Sequence, residues 1–337
     1  INGKEVFDSN NSVNYKNTQS ILASYIEYKL TLGKFSAKAG ARYEHTWENV
    51  EFILGKGDDF KKNYGNLVPS ASFTYNIGAA VNVGVNYNMR ISRPGISFLN
   101  PYIDRSTPTV LSYGNPNLDV EESHNVSLVF NAFTPKFMIN LTLGEAFANN
   151  QIEQYSFMDA NGILNTTYGN IVRSRWTNFN TFINYSLTPN TRIFLNGGFD
   201  YGDMRSDKLS QKKHAWQATA FIGLQQTLPW NVKMSINTGG MTKRHTLQGY
   251  GNGFSMINIA LAKDFFNEKL NVSLNYFTPF SGKIRQDQYS AGADFTQRTN
   301  MVISVQQVGL TLTWHFGNTK RQFQTNRTKI SNDFQEK

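Results

Sequence analysis

The 337-residue chain contains no cysteine. Disulfide frameworks, thiolate metal sites and cysteine nucleophiles are therefore excluded. Charged residues are scarce as well, at 17% against about 25% in ordinary globular domains. No run approaches the ~18 consecutive apolar residues of a membrane helix. The five histidines (His45, His124, His214, His245 and His315) are scattered, with no pair at metal-ligand spacing. The GxSxG, HExxH and paired-carboxylate signatures of hydrolases are missing too. Neither catalysis nor a resident metal or cofactor is expected.

The net charge of +9 does not imply a nucleic-acid partner. Four of the basic residues sit in the stretch NTKRQFQTNRTK, 318–329, which has no acid. Such a tail is solvated or disordered in the ordinary case. The remaining lysines and arginines are dispersed, without the clustered stripe that grips phosphates.

What the sequence does have is aromatic residues, at 14%, and a period of two. In VNVGVNYNMRIS, 81–92, the residues Val81, Val83, Val85, Tyr87, Met89 and Ile91 alternate with Asn82, Gly84, Asn86, Asn88, Arg90 and Ser92. LVPSASFTYNI, 67–77, alternates in the same way, and a short turn around Gly78 joins the two runs as a hairpin. Further hairpins are predicted to turn at Gly33–Lys34, Pro135, Pro189–Asn190, Pro229 and Asn267–Glu268. A last run over 300–316 slips by one position at Gln306–Gln307, where a bulge is expected. No segment sustains a helical period. The chain is all-β.

The connections alternate in length. Short turns at one end face long polar links at about 48–66, 93–122, 148–173, 202–213, 247–253 and 281–294. Each run has ten or more residues, which at ~3.3 Å per residue and a tilt near 45° crosses an apolar band of about 25 Å. A β-sandwich predicts mixed turn lengths and strands of about five or six residues. An antiparallel transmembrane β-barrel fits better, and it also explains a mean hydropathy of −0.44, because its apolar residues occupy only alternate positions. GYGNGF, 249–254, neither follows a βαβ unit nor opens a helix, so it is read as a flexible outer loop and not a phosphate cradle.

About thirteen strands can be counted. An odd number leaves the termini on opposite sides, whereas bacterial barrels have even counts. Residues 1–317 are thus expected to be the C-terminal part of a larger barrel, with 318–337 a basic periplasmic tail. Ile1 follows no signal peptide, so an exported protein's true N-terminus is expected upstream.

Several stretches resemble a known family. NYKNTQSILASYIEYKLTLGKFSAKAGARYEHT is similar to a mid-barrel hairpin of TonB-dependent outer-membrane receptors. YGNLVPSASFTYNI, MRISRPGISFLNPYIDRSTPTVLSYGNPNLDVEESHNVSLVF and GLTLTWHFG resemble the Bacteroidota outer-membrane β-barrel branch related to SusC-like receptors. The most specific marks are Arg93-Pro94, Leu99-Asn100-Pro101-Tyr102 and Gly114-Asn115-Pro116-Asn117-Leu118, followed by Glu121 and His124-Asn125. Where the family usually has Lys-Pro before the Glu, this chain has Asp119-Val120.

The resemblance implies a barrel of about 22 strands in the outer membrane of a Gram-negative bacterium. An N-terminal plug closes its lumen. Such receptors import scarce ligands, among them siderophores, cobalamin and glycans, with energy from the TonB complex. The implied partners are the lipid bilayer and lipopolysaccharide, the chain's own plug, the TonB complex and a surface lipoprotein. A passive porin-like channel or a surface-binding barrel without energised transport is the alternative.

The candidate site residues follow from both readings. The motif loop offers Arg93, Pro94, Asn100, Pro101, Tyr102, Tyr113, Asn115, Pro116, Asn117 and Glu121 for ligand or plug contact. Lys38, Arg42, Glu44 and Arg90 share a face with small polar residues and are expected to point into the lumen, since a charge at the lipid midplane costs ~2–4 kcal/mol. Trp47, Tyr87, Tyr102, Trp176, Trp216, Trp230 and Trp314 lie near strand ends and suit membrane-interface girdles.

Overall fold

The computed structural model describes residues 12–54, 59–107 and 109–316, with a two-residue strand at 334–335. The remainder of the basic tail, 318–333 and 336–337, lies outside the described residues.

The chain is built almost wholly of strands. In order these are β1 (Asn14–Leu32), β2 (Phe35–Leu54), β3 (Phe60–Asn76), β4 (Val81–Pro94), β5 (Asp104–Thr107), β6 (Val110–Ser112), β7 (Glu121–Phe133), β8 (Phe137–Met158), β9 (Leu164–Thr188) and β10 (Thr191–Ser206). They continue as β11 (Gln211–Leu228), β12 (Val232–Met241), β13 (Gly249–Tyr250), β14 (Phe254–Phe265), β15 (Leu270–Pro279), β16 (Lys283–Ala291), β17 (Thr296–Ser304), β18 (Gln307–Trp314) and β19 (Phe334–Gln335). Among the described residues the one α-helical turn is α1 (Ile96–Leu99).

Thirteen strands form one antiparallel path, β1-β2-β3-β4-β7-β8-β9-β10-β11-β12-β14-β15-β18. That is the number the alternation predicts. β1 and β18 are its two ends, so the sheet is an open wall. The short turns fall where the sequence places them: Leu32 pairs with Phe35 around Gly33–Lys34, and Thr188 pairs with Thr191 around Pro189–Asn190.

The cross-strand register shows why the wall has two chemistries. One row of directly paired residues runs Phe73, Val85, Leu128, Leu143, Phe179 and Phe199 across six neighbouring strands. All six side chains are exposed. The adjacent row runs Thr74, Gly84, Val129, Thr142, Asn180 and Gly198. A period of two therefore becomes an apolar outer face and a mostly small, polar inner face. Exposed apolar area on that scale is stable only against lipid.

Buried residues concentrate at the long-loop end, in three small clusters. Tyr64, Met89, Ile91 and Val120 form one, Phe98, Leu99, Leu118 and Ile152 a second, and Val172, Met204, Ala215 and Leu247 a third. A single curved sheet has no second layer to pack on, so the core arises only where loops fold inward over the rim.

Three expectations are corrected here. Several of the long polar links are in fact strand: β2 and β3 extend to Leu54 and from Phe60, and β8 and β9 extend to Met158 and from Leu164. The slip at Gln306–Gln307 is a strand break, not a bulge; β17 ends at Ser304 in a separate three-stranded sheet, β13-β16-β17, and β18 starts at Gln307. Gly249 and Tyr250 of GYGNGF are the first strand of that small sheet, paired with Ser290 and Tyr289. A Cβ on Gly249 would lie 1.7 Å from the carbonyl oxygen of Tyr289, so the glycine admits close strand pairing.

The β3–β4 ladder ends at Ser70–Asn88. Above that level Met89 and Ile91 are buried with Tyr64, and Arg90 is exposed.

Candidate functional site

The motif loop is framed by the chain's own polar groups. Pro94 ends β4, and Gly95 leads into α1. The Asn100 side chain accepts from the Tyr102 N–H at 3.0 Å, and that of Asn115 accepts from the Asn117 N–H at 2.9 Å. Such side-chain turns are what Asn supplies in a loop between strands. The Gly114 N–H donates to the Asn100 carbonyl at 2.8 Å. A Cβ on Gly114 would lie 2.5 and 2.6 Å from the carbonyl oxygens of Asn100 and Phe98, so only glycine fits.

The loop is then sewn to β8 and β9. Asn115 Nδ2 donates to the Tyr168 carbonyl at 2.9 Å. The Ile152 N–H donates to Glu121 Oε2 at 2.9 Å. Asn170 and Asp119 exchange two hydrogen bonds, of 2.8 and 3.0 Å. Arg93 is buried with Glu44 and donates through Nε to Thr46 Oγ1 at 3.0 Å. Arg42 Nε lies 2.6 Å from the second oxygen of Glu44, so two guanidinium groups clamp one carboxylate. Lys38 pairs with Glu27 at 3.0 Å. Pro101, Tyr102, Tyr113 and Pro116 are half-buried within the loop.

Behind this frame opens a cleft of about 640 Å³. Its walls are Phe98, Val110 and Ser112 of the motif loop, the upper parts of β8 and β9 with Trp176, the 245–251 segment, and the outer face supplied by β16 and β17. None of the ten motif residues named from the sequence borders it. The loop contributes Phe98 instead, whose ring stacks on Tyr168 at 4.4 Å. Trp176 is likewise corrected: it lines the cleft and packs over Gly202, whereas Trp216 lies outside, exposed beside Phe199. The parity of Trp176 against the apolar Phe179 row is the signal that separates the two tryptophans.

The electrostatics of the cleft are set by internal pairing. Glu153 accepts from the Leu247 N–H at 2.7 Å, and burial raises its pKa, opposed by that bond and by Lys213. Lys213 Nζ donates to the Thr246 carbonyl at 2.8 Å and also to Gly249, and burial lowers its pKa. Burial also lowers the pKa of His245, with Lys213 and Lys243 adding to the effect. At the outer sheet, Asp287 lies between Lys243 at 2.7 Å and Arg298 at 3.0 Å. The hydrogen bonds from Arg298 and Lys243 pull its pKa down to about 2.

An apolar outer belt, a polar inner face, short turns at one end and a looped rim enclosing a cleft at the other define an outer-membrane β-barrel wall. The chain belongs to the outer membrane protein beta-barrel family, whose pattern matches residues 1–314. It is an outer-membrane protein. No curated protein sequence matches it.

Solved structures share the fold. The siderophore receptor PiuA from Acinetobacter baumannii has a TM-score of 0.64 and 12% identity, over 89% of this chain and 44% of that one. The ferric yersiniabactin uptake receptor FyuA from Yersinia pestis has a TM-score of 0.62 and 13% identity, over 88% and 45%. The copper transporter OprC has a TM-score of 0.62 and 10% identity, over 88% and 48%. The chain spans a little under half the length of these structures. At such identities the likeness establishes the fold alone.

Proposed function

We propose that the chain is the C-terminal part of the barrel of a TonB-dependent outer-membrane receptor, which captures a scarce ligand at the cell surface and imports it with energy from the TonB complex. The observation that carries this reading is the cleft. It sits at the long-loop end of the wall, above a polar inner face, and its walls come from four separate segments that the barrel brings together. A plain pore needs only a polar lumen; a built cleft at its mouth serves recognition. The barrel neighbours named for siderophores and copper support the same reading.

In this account the plug is the same protein's own N-terminal domain and packs against the inner face, where Lys38–Glu27 offers an exposed ion pair. The bilayer and lipopolysaccharide contact the outer belt. A surface lipoprotein is a further partner at the rim, and the Bacteroidota lineage belongs to the same proposal. The motif loop holds the rim in shape, and no catalytic role is assigned to any residue.

A strain lacking the gene tests this directly. Uptake of each candidate ligand, from ferric siderophores and cobalamin to oligosaccharides, is compared with that of the parent and the complemented strain. Loss of uptake for one ligand class is expected. Unchanged uptake across every class contradicts the proposal.

A further inference from the structure

The lining of the cleft limits what it can hold. Among the described residues that border it there is no lysine and no arginine, and Glu153 is the sole carboxylate. That carboxylate is already engaged by the Leu247 N–H. Four glutamines line the walls instead, Gln151, Gln154, Gln288 and Gln297, beside Gln248, whose amide is held by the Ser156 backbone. Hydroxyls from Ser112, Ser156, Thr166 and Thr299 lie between them. Phe98, Tyr168, Trp176, Tyr250 and Tyr289 add aromatic surface.

The cations that do stand nearby are committed elsewhere. Lys243 and Arg298 share Asp287, and Lys243 also lies 3.9 Å from the centre of the Tyr250 ring. Lys213 is held by the carbonyls of Thr246 and Gly249. Lys208 donates to the Tyr155 hydroxyl at 2.6 Å. An anionic metal chelate or a phosphate ester entering the cleft would find no cation on its walls to replace its water. It would have to break one of these pairs to obtain one.

We infer that the cleft takes an uncharged, polyhydroxylated ligand, a short oligosaccharide, in preference to an anionic metal chelate. Side-chain amides both donate and accept, and so match vicinal hydroxyls that do the same. Aromatic faces bury the apolar C–H face of a sugar ring while its edge stays hydrogen-bonded. The volume lies within the ~300–1,000 Å³ common to small-ligand sites. The inference rests on the receptor reading above for the cleft's exposure at the cell surface, but it concerns binding alone.

The test uses the purified full-length protein in detergent. Binding of maltoheptaose, cellohexaose, mannohexaose and chitohexaose is compared with that of ferric citrate and ferric enterobactin, each by calorimetry at low and high salt. At least one neutral oligosaccharide is expected to bind, with an affinity that changes by less than about twofold with salt, because no charge is screened. Trp176→Ala is expected to weaken that binding at least tenfold. Gln288→Ala with Gln297→Ala, both on the exposed outer hairpin, gives a second variant that leaves the barrel wall intact.

Three outcomes overturn the inference. They are salt-sensitive binding of a ferric chelate without any saccharide, saccharide binding that both variants leave unchanged, and no saccharide binding at millimolar concentration. Binding without import would refute only the receptor reading. Import of another ligand without saccharide binding would refute only this inference.

Discussion

Gln248 and Ser156, ninety-two positions apart, exchange two hydrogen bonds. The Ser156 N–H donates to Gln248 Oε1 at 2.9 Å, and Gln248 Nε2 donates to the Ser156 carbonyl at 3.0 Å. One side-chain amide thus caps β8 as a neighbouring strand would. Through Gly249 and Tyr250, which follow it, this tether also fixes the small outer sheet over the cleft.

Replacing Gln248 by Leu keeps the bulk and removes both bonds. The buried Ser156 N–H and carbonyl are then left unpaired, at a cost of about 1–3 kcal/mol each. Hydrogen exchange of the 244–251 segment and of β16–β17 is expected to accelerate at least tenfold, with β10 and β11 unchanged. Equal acceleration everywhere would mean that the tether supports the whole barrel.

Arg93 and Glu44 form a buried ion pair, with side-chain exposures of 3% and 5%. Breaking such a pair from one side typically costs about 3–5 kcal/mol, because the partner charge stays buried. Arg93→Met alone is expected to destabilise the protein in denaturant unfolding from detergent by less than that, because Arg42 still faces the second oxygen of Glu44. Adding Glu44→Gln should recover much of the loss. A double variant as unstable as the sum of the two singles would show that the groups act independently.

At Gly114 the two carbonyl oxygens that a methyl group would strike belong to backbone, not to movable side chains. Gly114→Ala is therefore expected to cost several kcal/mol and to unseat the motif loop, on the scale of other overpacked or strained sites. Protease cleavage within 100–120 should rise in the variant while the barrel strands stay resistant. A variant with the parent's stability and cleavage pattern would overturn the placement of this loop.

The pH dependence of the outer sheet follows from Asp287. Its pKa in the folded protein, about 2, lies below its ordinary value of 3.8. A lowered carboxylate pKa contributes stability that is complete above the ordinary value and lost as the pH falls through the folded one. The β16–β17 hairpin should hold firm at neutral pH and loosen between about pH 4 and pH 2. Asp287→Asn should loosen it at pH 7, as read by hydrogen exchange corrected for intrinsic rates. An acid-insensitive hairpin, loosened by neither change, would contradict the clamp.

The wall is legible in the sequence because lipid and lumen impose opposite demands on adjacent residues. Phe73 beside Thr74, or Phe179 beside Asn180, states the face of a strand without ambiguity. The turn residues Gly33, Pro189 and Asn190 mark the hairpins for equally local reasons. Above the membrane that demand ends. Both faces of the upper β8–β9 hairpin meet water or other loops, its register shifts between Ala148 and Ile152, and the alternation gives no sign that strands continue.

The cleft was hidden for a different reason. Trp176, Gln248 and Tyr289 come together only through the order of the strands, and none belongs to a recognisable motif. The motif loop was conspicuous because Gly114, Asn115 and Pro116 are demanded by its backbone. Its conspicuousness reports local geometry, and the cleft-lining residues lie in segments of ordinary composition.

The most direct measurement is energised accumulation. Cells producing the full-length protein and cells lacking it are given a labelled ligand that binds the purified protein, with and without a protonophore. Internal label above the external concentration is expected only in producing cells with an intact proton gradient, with surface binding surviving the protonophore. Equal entry with and without the gradient, never exceeding the external concentration, would make the barrel a passive channel and contradict the receptor account.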